Sequence, residues 1–420
     1  MSNQPSISQL DYSFELRHAL VGAQMFFVAF GALVLVPMLT GMSSSAAMFT
    51  AGVGTLVFQL VTRGKVPIFL GSSFAFIACM SYGVKTWGIA PTLSGLAAAG
   101  VVYILVGLLV RFNGPGIIQK ILPPIVTGPV IMVIGLHLAP VAIGMATKLE
   151  TSSGSVISLH QALAVSMISL AATIAASLLG RGFIKLVPIL CGIAAGYTTS
   201  ICMGIVDFSL VTQASWLVMP AFTTPTFSLD AIILIVPVAI APIIEHVGNV
   251  VAIGSITGRD YVKDPGLDKT LIGDGLSIMF AASVGGPPNT TYSEVSGGIA
   301  LTRAFNPGVL TWAALSAICL SFVGKLSGFL ASIPPQVMGG IMVLLFGAIV
   351  VVGMNSLVRA GDDLMQPRNM AIIAVVLVFG LGGMVIGGGS FSMSDIGLAG
   401  VTGLVLNLVL PGRADSASKN

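Results

Sequence analysis

Residues 122–132 read Leu122-Pro123-Pro124-Ile125-Val126-Thr127-Gly128-Pro129-Val130-Ile131-Met132, and residues 333–343 read Ile333-Pro334-Pro335-Gln336-Val337-Met338-Gly339-Gly340-Ile341-Met342-Val343. They match at an offset of 211, close to half of a 420-residue chain. A second echo, Ser72-Ser73-Phe74-Ala75 against Thr290-Thr291-Tyr292-Ser293, stands at the similar offset of 218. Two echoes at nearly one spacing read as an internal duplication.

The sequence around them belongs in lipid. Hydrophobic residues make up 55% and charged residues 8%, where a soluble domain is about one quarter charged. Apolar runs of roughly 20 residues, each able to cross a hydrocarbon core about 30 Å thick, recur at 18–39, 44–62, 67–82, 90–110, 121–144, 161–179, 185–205, 231–255, 271–285, 287–301, 308–328, 337–355, 369–386 and 394–411. That count of fourteen puts seven segments in each repeat, 1–215 and 216–420. An odd number makes the second repeat start from the opposite face of the bilayer, so the duplication is inverted. The expected fold class is an all-α polytopic membrane protein of two inverted seven-segment repeats, with short β-strands in segments 3 and 10.

Charge orients it. With both termini cytoplasmic, 15 of the 18 Lys and Arg residues fall in cytoplasmic connections and only Lys85, Lys148 and Lys325 fall outside, the asymmetry that positive-inside insertion produces. The first fifteen residues are polar and read as a short tail with no leader peptide. The cations are scattered singly, so no nucleic-acid partner is expected. Cys79, Cys191, Cys202 and Cys319 lack disulfide or metal spacing and read as small core residues. His18, His137 and His160 have no acidic neighbours at ligand spacing, and neither metal nor cofactor is expected. The Ser-rich stretches 43–45 and 151–155 lack the partners of a hydrolase. Gly387-Gly388-Gly389 has no phosphate-loop sequel and reads as a flexible turn.

Inverted repeats place substrate sites where interrupted segments of the two halves meet near the midplane. Gly71-Ser72-Ser73-Phe74-Ala75-Phe76 and Pro287-Pro288-Asn289-Thr290-Thr291-Tyr292 are poor helix formers within short spans. Extended backbone at that depth must pair with itself, with protein or with a ligand. Two crossed stretches meet that demand, and the helix after each would aim its positive end at the crossing.

Three acids lie in the spans. Glu245 is in the middle of the eighth, Glu294 starts the helical part of the tenth, and Asp274 begins the ninth, where it is either a pathway residue or a helix cap. A carboxylate in lipid must be paired, hydrated or protonated, and marks a substrate or proton path. Asn249, one turn after Glu245, is placed to orient its carboxyl. Glu245, Glu294, Asp274 and Asn249 are therefore the residues assigned to proton coupling. His246 points elsewhere and reads as a packed, hydrogen-bonded structural residue.

Gly71-Ser72-Ser73-Phe74-Ala75-Phe76, Glu245-His246-Val247-Gly248, Asp264-Pro265-Gly266-Leu267 and Pro288-Asn289-Thr290-Thr291-Tyr292-Ser293-Glu294 together resemble the nucleobase–ascorbate transporters (nucleobase:cation symporter 2 family), and within them the bacterial uracil permeases, from about residue 16 to 411. The family signature after the tenth-span acid is met by Glu294, Gly297, Thr302 and Arg303, with Val295 in place of its asparagine. Asn249 stands where uracil permeases usually carry a second histidine.

The resemblance implies a core domain of about 14–111 plus 231–328, moving against a gate domain of about 112–215 plus 329–411, in a homodimer of the bacterial inner membrane. Glu245 and Glu294 would hydrogen-bond the edge of a base. Backbone N–H groups near Phe74, Ala75 and Ser293 would meet its carbonyls, and Phe74 and Tyr292 would flank the ring. The expected activity is proton-coupled nucleobase import, with uracil as substrate and no catalysis. A purine carrier of the same family, or an anion exchanger on the same inverted plan, is the alternative.

Overall fold

A computed structural model describes residues 11–151, 154–361, 363–388 and 391–411. Its principal elements are α1 (Ala19–Thr40), α2 (Ser44–Val61), β1 (Leu70–Ser72), α3 (Ile77–Trp87), α4 (Ile89–Asn113), α5 (Pro124–Ala146), α6 (Leu159–Leu179), α7 (Pro188–Cys202), α8 (Leu229–Ile235), α9 (Ile240–Thr257), α10 (Leu267–Ser283), β2 (Asn289–Thr291), α11 (Ser293–Thr302), α12 (Pro307–Ser321), α13 (Pro335–Ala360), α14 (Pro367–Leu381), β3 (Val385–Gly388), β4 (Phe391–Ser394) and α15 (Asp395–Val409). A tight turn at Val236–Ala239 joins α8 to α9 across Pro237. Seven of the described helical stretches are long and apolar enough to cross a membrane, and four further apolar helices are shorter.

The ends of the helices follow from local chemistry. α5 and α13 each begin on the second residue of a Pro-Pro pair, Pro124 and Pro335. There the missing N–H costs nothing, because a first-turn amide has no intrahelical partner. α6 opens with a reciprocal cap between Ser158 and Gln161.

The packing pairs come in repeat-related couples. α4 lies on α10 as α12 lies on α2; α12 meets α1 as α4 meets α8; α6 meets α13 as α14 meets α5; and α6 packs on α7 as α14 packs on α15. The echoing helices α5 and α13 pack on each other, as do β1 and β2. Lipid supplies little hydrophobic drive between helices, so close backbone approach carries the contact. A Cβ on Gly100 would lie 2.8 Å from the Gly275 carbonyl, and one on Gly353 would lie 2.6 Å from that of Gly128.

Several expectations need correction. The chain from Asp11 onward is no free tail. Ser13 exchanges hydrogen bonds with Asn306, Trp312 Nε1 donates to the Glu15 carbonyl at 3.0 Å, and Phe14 stacks on Trp312 at 4.7 Å. Asp11 pairs with Arg259 at 2.9 Å. Cys202 and Cys319 are exposed, while Cys79 alone of the four is buried. Gly387 and Gly388 belong to a hairpin ladder, paired with Ser392 and Phe391; Gly389 lies outside the described residues. α10 begins at Leu267, so Asp274 stands in its second turn and cannot cap it.

Candidate functional site

Two broken segments meet inside the protein. β1 and β2 run antiparallel, with Leu70 opposite Thr291, Gly71 opposite Thr290 and Ser72 opposite Asn289. The pairing continues past the strands through Ser73 N–H to the Pro288 carbonyl, 2.9 Å, and Tyr292 N–H to the Phe69 carbonyl, 3.2 Å. These residues stay extended because Gly, Ser and Pro disfavour helix and Thr and Tyr favour strand. Their backbone groups, buried at membrane depth, satisfy one another.

α2 carries the crossing. The Thr55 hydroxyl accepts from Leu70 N–H at 2.9 Å and donates to the Leu70 carbonyl at 3.4 Å. Asn289 Nδ2 donates to the Thr50 carbonyl at 2.8 Å. The Thr55 hydroxyl on a mostly apolar helix is the one side-chain signal for this anchor, since Thr50 contributes only its backbone carbonyl, and sequence reading passed over it. From the crossing the chain turns through Phe74–Phe76 into α3 on one side and into α11 on the other. Two helix N-termini, with the positive ends of their dipoles, therefore begin beside the paired strands.

The predicted site residues fall as follows. Tyr292 is buried, its hydroxyl donates to the Ser72 carbonyl at 2.6 Å, and its ring covers Gly71, where a Cβ would sit 2.5 Å from the ring. Phe74 is half-buried and Ala75 buried in the turn that precedes α3. Ser293 and Glu294 open α11, but their side chains lie outside the described residues.

On α9, successive residues point in different directions, since each step turns about 100°. Glu245 is exposed, whereas His246 and Asn249 are buried. Asn249 Nδ2 donates to the Thr291 carbonyl at 2.9 Å and to its hydroxyl at 3.1 Å, which ties α9 to the outer edge of β2. His246 bonds Asp274 of α10. The sequence singled out Glu245, Glu294, Asp274 and Asn249, but the Asp274–His246 contact joins positions 28 apart and has no local signature.

A cavity of about 450 Å³ adjoins the crossing, within the size range of small-molecule sites. Ala75 and Cys79 line it from one side, His137 and Val141 of α5 from another, and Leu234 and Ile396 close it. Its lining holds no Lys or Arg. Among the described residues no group of His, Cys, Asp and Glu is arranged to hold a metal ion. Of the predicted binding residues Ala75 lines it, whereas Phe74, Glu245 and Tyr292 do not; a mostly apolar wall with a few hydroxyl, thiol and imidazole groups suits a small uncharged molecule.

Comparison with known proteins shows the family. Residues 16–387 match the Permease family (Xan_ur_permease). The chain is 49% identical to the "Probable uracil permease" of Haemophilus influenzae over 98% of both chains. It is 42% identical to the "Uracil permease" of Bacillus caldolyticus over 94% of this chain and 92% of the other. Among solved structures, the transmembrane domain of a cyanobacterial bicarbonate transporter, BicA, superposes with a TM-score of 0.66 over 95% of this chain and 99% of that one, at 14% identity. The last likeness is one of fold alone.

Proposed function

Since the chain belongs to the Permease family of nucleobase–ascorbate transporters, we propose that it imports uracil across the bacterial inner membrane by proton symport. The observation that supports this reading is the strand crossing itself, held from α9 by Asn249 on Thr291, with the acid Glu245 one turn earlier on the same helix. A pyrimidine base offers N–H groups to carboxylates and carbonyls to backbone amides. Glu245 and Glu294 take the N–H edge, amides near Phe74, Ala75 and Ser293 take the carbonyls, and Phe74 and Tyr292 flank the ring.

Asn249 cannot titrate, so the transported proton rides on the glutamates, with Glu245 as its carrier. Neutralising that carboxylate eases its passage through lipid-facing surroundings. The core, about 14–111 plus 231–328, carries base and proton as one body past the gate, about 112–215 plus 329–411. The extensive packing of α5 on α13, and separately of α4 on α10, supports two such bodies. We place the dimer contact on the gate and both termini in the cytoplasm.

Uptake of radiolabelled uracil into proteoliposomes under an inward proton gradient tests the reading, with Glu245→Gln and Glu294→Ala as variants. Both should abolish accumulation. Full uptake by either displaces the site, and uptake that needs chloride or sulfate and ignores bases replaces a nucleobase carrier with an anion carrier. A thermal-shift series with uracil, thymine, xanthine, hypoxanthine, urate and ascorbate identifies the base, because a native-state ligand raises the melting temperature.

A further inference from the structure

His246 and Asp274 are both fully buried, with Nδ1 of the imidazole 2.7 Å from Oδ2 of the carboxyl. The other ring nitrogen, Nε2, lies 2.9 Å from the Thr270 hydroxyl oxygen, which in turn lies 3.0 Å from the Leu267 carbonyl. The Tyr103 ring stands edge-on to the imidazole at 6.5 Å. The titratable groups around the pair are Tyr103, also buried, and Glu245, the neighbour of His246 on α9.

Counting protons along this chain decides its charge. The Thr270 hydroxyl has one proton to give. If it goes to the Leu267 carbonyl, Nε2 must be an N–H, and one more proton lies between Nδ1 and Oδ2. The pair is then net neutral, whichever of the two atoms holds that proton. If the hydroxyl proton instead goes to Nε2, the ring keeps its single proton on Nδ1. Asp274 is then a carboxylate held only by neutral donors, His246 Nδ1–H and the Thr291 N–H, a net negative charge in an apolar interior, which is the costlier state.

We infer that His246 and Asp274 form a net-neutral pair that keeps one proton between them throughout the transport cycle and serves as a positioning device for α9. The transported proton must meet water on both sides of the membrane, and this pair has no surface exposed to either. What the pair fixes is helical phase. With His246 held inward against α10, Glu245 is turned outward and Asn249 toward Thr291. The positioning role rests on the proposed transport reading, whereas the charge state of the pair does not.

Two measurements decide it. In protein with ¹⁵N-labelled histidine, the His246 signals are assigned by removing His18, His137 and His160 one at a time. They should stay unchanged between about pH 5 and 8, the range in which a free imidazole titrates. In proteoliposomes, Asp274→Asn keeps a hydrogen bond to Nδ1 through its amide, so proton-driven uptake and base exchange should fall by the same factor, while Asp274→Ala loses base binding. A His246 signal that titrates, or an Asp274→Asn protein that exchanges base but no longer accumulates it under a proton gradient, overturns the inference. If the wild type moves no uracil at all, the transport reading fails and the imidazole signals still judge the pair.

Discussion

Asn249 on α9 holds the carbonyl of Thr291, on the outer edge of β2, at 2.9 Å. One edge of β2 is already used by β1, so this amide secures the other. Asn249→Ala leaves a buried carbonyl without its donor, a loss of about 1 to 3 kcal/mol. A lower melting temperature and weakened uracil binding are expected together. Asn249→Asp should be worse than alanine, because it sets a carboxylate oxygen against that carbonyl. Equal binding by wild type and Asn249→Ala in a scintillation proximity assay contradicts a role for this contact.

The crossing itself is steric as well as hydrogen-bonded. Gly71→Ala pushes a methyl to within 2.5 Å of the Tyr292 ring, and neither strand can retreat without breaking the ladder. Transport should be lost while the protein still inserts and can be purified. Tyr292→Phe removes the hydroxyl that donates to the Ser72 carbonyl at 2.6 Å, which leaves that buried carbonyl without this donor at a cost of about 1 to 3 kcal/mol, and keeps the ring. Its uptake should fall several-fold and no further. Side-by-side uptake by the two variants separates shape from hydrogen bonding.

The N-terminal segment tests a different part of the molecule. Phe14 stacks on Trp312, and Ser13 and Asn306 bond reciprocally. Phe14→Ala and Asn306→Ala should each lower stability by about 1 to 2 kcal/mol, read as a drop in melting temperature in detergent. Asp11→Asn should change little, because its partner Arg259 and Asp11 itself are both partly in solvent and such exposed pairs contribute about 0 to 1 kcal/mol.

What the sequence displayed was local. Gly, Ser, Thr and Pro gathered at 71–76 and 287–292 announce a broken segment because helix propensity is a property of neighbours. Glu245 stands out because a charge in an apolar run is costly wherever the run packs. The contact of His246 with Asp274, and of Asn249 with Thr291, depends on how two helices and a strand are rotated about one another, and rotation is set by packing. The exposed Cys202 and Cys319 show the same limit. In a soluble protein an apolar segment implies a core, but in a membrane lipid covers one face of it, and hydropathy alone does not tell the faces apart. Asp274 was misplaced as a possible cap because the polar residues Asp268, Lys269 and Thr270 hid the first turn of α10.

The proposed movement of core against gate makes the most direct prediction. A Cβ built on Gly400 of α15 lies 3.8 Å from the Cβ of Ile240, the first residue of α9, inside the 3.5–4.5 Å span that a disulfide bridges. α15 belongs to the proposed gate and α9 to the proposed core. Gly400→Cys with Ile240→Cys, in a background carrying Cys79→Ala, Cys191→Ala, Cys202→Ala and Cys319→Ala, should crosslink under mild oxidant. The crosslinked protein should bind uracil in detergent yet accumulate none in proteoliposomes, and a reductant should restore uptake. Binding without transport is the outcome required of a carrier whose two bodies must slide. Undiminished uptake by fully crosslinked protein would mean that the base crosses without movement at this contact, and the elevator would have to be replaced by local gating around Glu245.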